Sequence, residues 1–111
     1  MDWKDYERKA MVTKSRDLDK RESVLNAILG LNGEIGEVTD LIKKNFYHGH
    51  DLDLDLLEEE LGDVLWYLAL LTDSLDLDFD KIQKKNLQKL EDRYDNDFSY
   101  EKSINRDKKQ D

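Results

Sequence analysis

Four carboxylates in two matched pairs are the residues of this chain best suited to chemistry. Glu34 and Glu37 stand three apart, and so do Glu60 and Asp63. On a helix, residues three apart are surface neighbours, so each pair presents two acids to one place. A charge on a core face is costly unless something binds it, and crowded acids resist joint ionisation. A hard divalent cation relieves both problems. Oxygen ligands in a chain without cysteine suit Mg²⁺, with Mn²⁺ as a substitute. Mg²⁺ held by carboxylates usually keeps waters and completes its shell with phosphate oxygens. It screens phosphate charge, polarises a phosphoryl oxygen and activates a water. The two pairs therefore point to phosphoanhydride hydrolysis.

Helices must position these acids. Residues 2–14 read as a first helix, with Trp3, Tyr6, Ala10 and Thr13 at helical spacing and Asp2 as its start signal. Trp3 and Tyr6 either pack on a neighbour or form an aromatic wall for a base. After a polar connection, Asp19 and Glu22 fit a capping box that opens a second helix over 20–46. Its apolar stripe includes Ala27, Leu31, Val38 and Leu41. Glu34 falls mid-stripe, about 20° from both Ala27 and Leu41, and Glu37 lies about 60° to the side. Gly30, Gly33 and Gly36 lower helix propensity and signal close approach by a neighbour or ligand.

The connection 45–55 ends in a second apparent capping box, Asp55 with Glu58. A third helix is expected over 54–74. Glu60 repeats the placement of Glu34, about 20° from Tyr67 and Leu71, with Asp63 about 60° away. Glu34 and Glu60 should be the more buried acids, and Glu37 and Asp63 those nearer the mouth. This helix is apolar nearly all round, so Trp66 and Leu70 call for cover by a partner subunit. A fourth helix is expected over 78–93, with Phe79, Ile82 and Leu90 on its inner face. Asn86 falls within that stripe, and Lys89 and Arg93 follow on the same side. The remainder reads as a polar tail anchored by Phe98, Tyr100 and Ile104. The expected architecture is an all-α, four-helix bundle that forms an oligomer, with one domain over 1–106 and a frayed tail over 107–111.

Composition narrows the function. The chain is 38% hydrophobic and 41% charged, thin for a self-sufficient core, which favours a homo-oligomer. A net charge of −9 argues against nucleic acid as a partner and demands a cation for any anionic ligand. The longest apolar run, Val64 to Leu71, is far short of the ~20 residues of a membrane span. With a polar, acidic start in place of a signal peptide, the expectation is a cytoplasmic protein. Asp51, Asp53 and Asp55 resemble an EF-hand loop, but its sixth position is Leu56 and its twelfth Gly62. A di-iron bundle needs Glu-x-x-His, which neither His48 nor His50 supplies. The two histidines read as solvated loop residues. No Walker loop is present. Lys43, Lys44, Lys89 and Arg93 are the cations available to phosphate.

The motifs are Gly33-Glu34-Ile35-Gly36-Glu37-Val38, then Ile42-Lys43-Lys44, then Glu59-Glu60-Leu61-Gly62-Asp63-Val64-Leu65-Trp66-Tyr67-Leu68, and finally Asn86 through Tyr94. With them the chain resembles the MazG-like nucleotide pyrophosphohydrolases of the all-α NTP pyrophosphatase superfamily, in particular small stand-alone and phage-type members. The resemblance implies Mg²⁺-dependent conversion of a nucleoside triphosphate and water to the monophosphate and pyrophosphate, in nucleotide-pool housekeeping. It implies Glu34, Glu37, Glu60 and Asp63 as metal ligands and catalytic acids, with Lys43, Asn86, Lys89 and Arg93 near the phosphates. It also implies a homodimer or homotetramer. Base-recognising residues vary in the family; Trp3, Tyr6, Asn26 and Tyr67 are candidates. The competing expectation is a non-catalytic nucleotide-binding or regulatory helical module, which would bind nucleotide without turnover.

Overall fold

A computed structural model of the protein describes residues 1–95. It contains four α-helices: α1 (Trp3–Ala10), α2 (Lys20–His48), α3 (Leu54–Ser74) and α4 (Phe79–Asp95), with a single 3₁₀ turn at Met11–Thr13 after α1. No strand occurs among the described residues. The chain is all-α, as its periodicity predicts.

The helix ends follow from local chemistry. The Asp2 carboxylate accepts from the Asp5 N–H at 2.8 Å and starts α1. At α2 the capping box forms in full: Asp19 accepts from Glu22 N–H at 2.8 Å, and Glu22 accepts from Asp19 N–H at 3.1 Å. This helix runs two residues past its expected end. Gly49, at φ 69°, takes the left-handed conformation that closes it and donates its N–H to the Lys44 carbonyl. The start of α3 departs from expectation. Its cap is Asp53, whose carboxylate accepts from Leu56 N–H at 3.1 Å. Asp55 lies inside the first turn, where an acid favours the positive end of the helix dipole. The Asp55–Glu58 box does not form.

The chain divides into two compact units, Met1–Leu77 and Asp78 onward. In the first, α2 and α3 form a hairpin. Its antiparallel register is visible at two points: Glu34 meets Glu60, and Gly30 meets Tyr67. A Cβ at Gly30 would overlap the Tyr67 ring, so glycine here admits an aromatic across the seam. Gly33, Gly36 and Gly62 have open space where a Cβ would stand, so the close approach expected of Gly33 and Gly36 is not made within this chain.

Met11, Ala27, Ala69 and Leu70 are the buried apolar residues, with Trp3, Tyr6, Ala10, Trp66, Tyr67 and Leu71 packed around them. This corrects one expectation. Trp66 and Leu70 do not need a partner subunit, because α1 and the 3₁₀ turn cover them. The Trp66 indole N–H reaches the Ala10 carbonyl at 3.2 Å and Thr13 Oγ1 at 2.9 Å, and Leu70 is 3% exposed. The polar connection after the first helix hides the reach of Met11 and Thr13 from a reading of single helices. Thr72, also buried, donates to Glu7 at 2.6 Å, and Lys14 pairs with Asp73 at 2.7 Å. The half-exposed Lys14–Asp73 pair is worth less than about 1 kcal/mol. Replacing Trp66 with Phe removes the indole donor while keeping an aromatic ring. It should cost about 1 kcal/mol in urea denaturation, because the Ala10 carbonyl and Thr13 hydroxyl lose a shared partner. No change in the midpoint would mean that the indole anchor contributes nothing.

In the second unit, Asp78 caps α4, accepting from Asp80 N–H at 2.9 Å. Phe79 and Leu90 are half-buried, whereas Ile82 and Leu87 are 39% and 59% exposed. Phe98, Tyr100, Ile104 and the 107–111 tail lie outside the described residues. No helix among the described residues is long and apolar enough to cross a membrane.

Candidate metal centre

One carboxylate oxygen from each of Glu34, Glu60 and Asp63 lies within 4.8 Å of the other two. Two helices make this cluster: α2 supplies Glu34, and α3 supplies Glu60 and Asp63 one turn apart. The central positions on the wheel translate into burial. Glu34 and Glu60 are half-buried, while Glu37 and Asp63 are exposed. Glu37 stands outside the three-oxygen group but close enough for its charge to act on Glu34.

Burial pushes the Glu34 carboxyl above the usual carboxylate range. A hydrogen bond with Glu60 adds to this, as do the charges of Asp63, Glu60 and Glu37. Burial likewise raises the Tyr6 phenol, helped by the negative charge of Asp63. Tyr6 on α1 thus borders the acids. Sequence reading offers it only as packing or as a base wall, because helical spacing says nothing about which helix α1 crosses. Three convergent oxygens on a repulsive, partly buried site fit a hard cation such as Mg²⁺. No other such group occurs among the described residues.

The raised Glu34 carboxyl fixes the sign of a pH effect. An acid that holds its proton more tightly folded than unfolded contributes stability at low pH and loses it as pH rises through the raised value. The metal-free protein should therefore weaken as pH climbs past the ordinary glutamate range. A divalent cation competes with that proton. Added Mg²⁺ should raise the melting temperature more at about pH 8 than at about pH 5. Equal shifts at both values would contradict the linkage.

Other expected site residues fall elsewhere. Tyr67 is half-buried, seated on Gly30 and edge-on to Trp66 with ring centroids 5.1 Å apart. Lys43 is exposed on α2, about 180° round the helix from Glu34. It lines an open groove with Val38, Ile42 and Phe46 rather than joining the acids. The same wheel that places Glu34 could have shown this. Lys44 pairs with Asp40 at 2.9 Å on the surface, and its hydrogen bond, helped by its positive charge, lowers the Asp40 carboxyl. His48 and His50 are exposed. Asn86 and Lys89 are exposed and Arg93 half-buried, and their spacing sets all three on one face of α4 in the second unit.

A family model described as "MazG nucleotide pyrophosphohydrolase domain" matches residues 22–98, which include all four acids and the Asn86–Arg93 face. The chain belongs to the MazG nucleotide pyrophosphohydrolase family. It is also similar to Gene 37 protein of Mycobacterium phage L5, at 36% identity over 83 residues, 71% of this chain and 73% of that protein. No solved structure matches. The match runs through both long helices of the hairpin, so the acid pairs sit within the family's own domain.

Proposed function

We propose that this MazG-family protein is a Mg²⁺-dependent nucleoside triphosphate pyrophosphohydrolase. It would convert a (d)NTP and water to the (d)NMP and pyrophosphate, as cytoplasmic nucleotide-pool housekeeping. The observation that carries this reading is the convergence of Glu34, Glu60 and Asp63 across the hairpin. Glu34, Glu60 and Asp63 would hold the cation, and Glu37 borders them on the exposed flank where water and substrate enter. When bound, Mg²⁺ would neutralise triphosphate charge and acidify a bound water, with Mn²⁺ a workable substitute. In the reaction the water oxygen bonds to the α-phosphorus. The bond from that phosphorus to the bridging oxygen breaks, and pyrophosphate leaves with that oxygen.

Asn86, Lys89 and Arg93 are the proposed phosphate contacts, Arg93 through its two-pronged guanidinium. Tyr67, packed against Gly30, is proposed to flank the substrate. Lys43, turned away from Glu34 on its own helix, would have to serve the site of another copy. That accords with a homodimer or homotetramer. Incubation with each common nucleotide and Mg²⁺ tests the reading. Pyrophosphate and monophosphate should appear in equal amounts for at least one nucleotide. Binding without turnover would convert the protein to a nucleotide-sensing module, and release of orthophosphate alone would exclude the reaction.

A further inference from the structure

Helix α1 is eight residues long and buries none of them fully. A helix that short is marginal on its own, so its position comes from what it docks on. Part of that docking is apolar: Trp3, Tyr6 and Ala10 pack against the core of Met11, Ala27, Ala69 and Leu70. Apolar attraction has no direction, and by itself it lets a helix roll or slide by small steps. Hydrogen bonds do have direction. The polar contacts between the N-terminal segment and α3 therefore decide how α1 is turned.

These contacts grip from two flanks of α3. Trp66 holds the end of α1 through the Ala10 carbonyl at 3.2 Å and Thr13 Oγ1 at 2.9 Å, and Asp73 holds Lys14 at 2.7 Å. Trp66 and Asp73 lie about 120–140° from Glu60 in one direction. Thr72 lies about 120° in the other, and its hydroxyl donates to Glu7 at 2.6 Å. Glu7 is thus tied in the body of α1, one residue from Tyr6.

Thr72 does not need this bond for its own sake. It is the one buried polar side chain among the described residues, and a buried hydroxyl requires an acceptor. Two stand in its own helix, the Ala69 carbonyl at 3.1 Å and the Leu68 carbonyl at 3.2 Å. Either satisfies a helical threonine. The hydroxyl has a single proton, and the shortest of the three contacts runs to Glu7, at the length of a charge-assisted bond. What that bond adds is a hold on α1. The hold matters because of Tyr6, which lies close enough to Asp63 to feel its charge. Asp63 is the exposed member of the three-oxygen cluster. Adjacent residues on a helix turn together, about 100° apart. A roll of α1 that released Glu7 would swing Tyr6 away from the acids.

We propose that the Glu7–Thr72 hydrogen bond fixes the rotation of α1 and so sets Tyr6 beside the acid centre, which makes Glu7 and Thr72 positioning residues for nucleotide binding. The proposal rests on the hydrolase reading for its substrate. Neither residue touches the acids. All the candidate ligands stand on α2 and α3, so the tie acts on how substrate is received and not on the metal or the attacking water.

Kinetics on the full chain test this. Thr72→Val keeps the shape of the side chain and removes the hydroxyl. It should raise KM for the nucleoside triphosphate about 5–20-fold and leave kcat within about twofold. Mg²⁺ alone should raise the melting temperature of the variant as it does that of the wild type. Glu7→Ala should match Thr72→Val, and Glu7→Gln, which keeps an acceptor oxygen, should stay near the wild type. The double variant should be no worse than either single one, because both remove the same bond. Glu7 is half-buried, so its variants carry the test should Thr72→Val fail to fold. An unchanged KM in Glu7→Ala, or a loss of kcat and of the Mg²⁺ response along with KM, would overturn the proposal. If the wild type turns over no nucleotide, the hydrolase reading fails by itself. Calorimetry with Mg²⁺ and the same nucleotides then reads the tie: weaker binding by Glu7→Ala upholds it, and equal affinity overturns it.

Discussion

Replacing Glu60 with Gln should abolish pyrophosphate release, lowering turnover by roughly 10²–10³-fold or more, the scale of deleting a preorganised electrostatic partner. The amide keeps the shape of the side chain and can still hydrogen-bond Glu34, so the hairpin should stay closed. It removes one of three convergent negative oxygens. Metal-free stability should hold or rise, because less like charge is crowded against the raised Glu34 carboxyl. The increase in melting temperature on adding Mg²⁺ should disappear. Loss of turnover, retained stability and a lost metal response together distinguish a ligand from a structural residue. Near-normal turnover would remove Glu60 from the site. A lower metal-free stability would mean that the carboxylate mainly holds the seam together.

Gly30→Ala should destabilise the protein by about 1–3 kcal/mol, although alanine is the better helix former. The reason is steric. A Cβ at Gly30 would overlap the Tyr67 ring, whose edge-on contact with Trp66 must be disturbed if the ring shifts to make room. Gly33→Ala, three residues on in the same helix, meets open space and should instead stabilise by about 0.5–1 kcal/mol through backbone entropy alone. Urea denaturation of the two variants should therefore give opposite signs. Tyr67→Ala placed on Gly30→Ala should recover part of the loss, because the clash needs both partners. If Gly30→Ala stabilises, the Tyr67 ring does not rest on the helix backbone.

Much of the fold is legible from spacing. The four helices lie within two residues or so of their expected bounds, except that the end of the first becomes a 3₁₀ turn. The Asp19–Glu22 box is readable because both partners lie within one turn. Asp53 and Asp55 illustrate the limit. Both suit a cap by type, and the choice falls to the one with extended backbone, φ −81° and ψ 99°. The burial order of the acids is likewise readable, since rotation about a helix axis is fixed by residue count. Lys43 is open to the same reading: residue count sets it about 180° from Glu34, against the phosphate role that the MazG resemblance implies.

By itself, then, the sequence determined what depends on neighbours along the chain. It set the helices, their all-α class, the two acid pairs and which member of each pair is the deeper. Tertiary structure decided what depends on partners distant in sequence. It joined Glu34 to Glu60 and Asp63, brought Tyr6 beside them, and seated Tyr67 on Gly30. It also gave the cover of Trp66 and Leu70 to the chain's own first helix and 3₁₀ turn. Helical periodicity says that an apolar face must be buried, but not by which element. That choice is made by packing, where every candidate neighbour competes for the same surface.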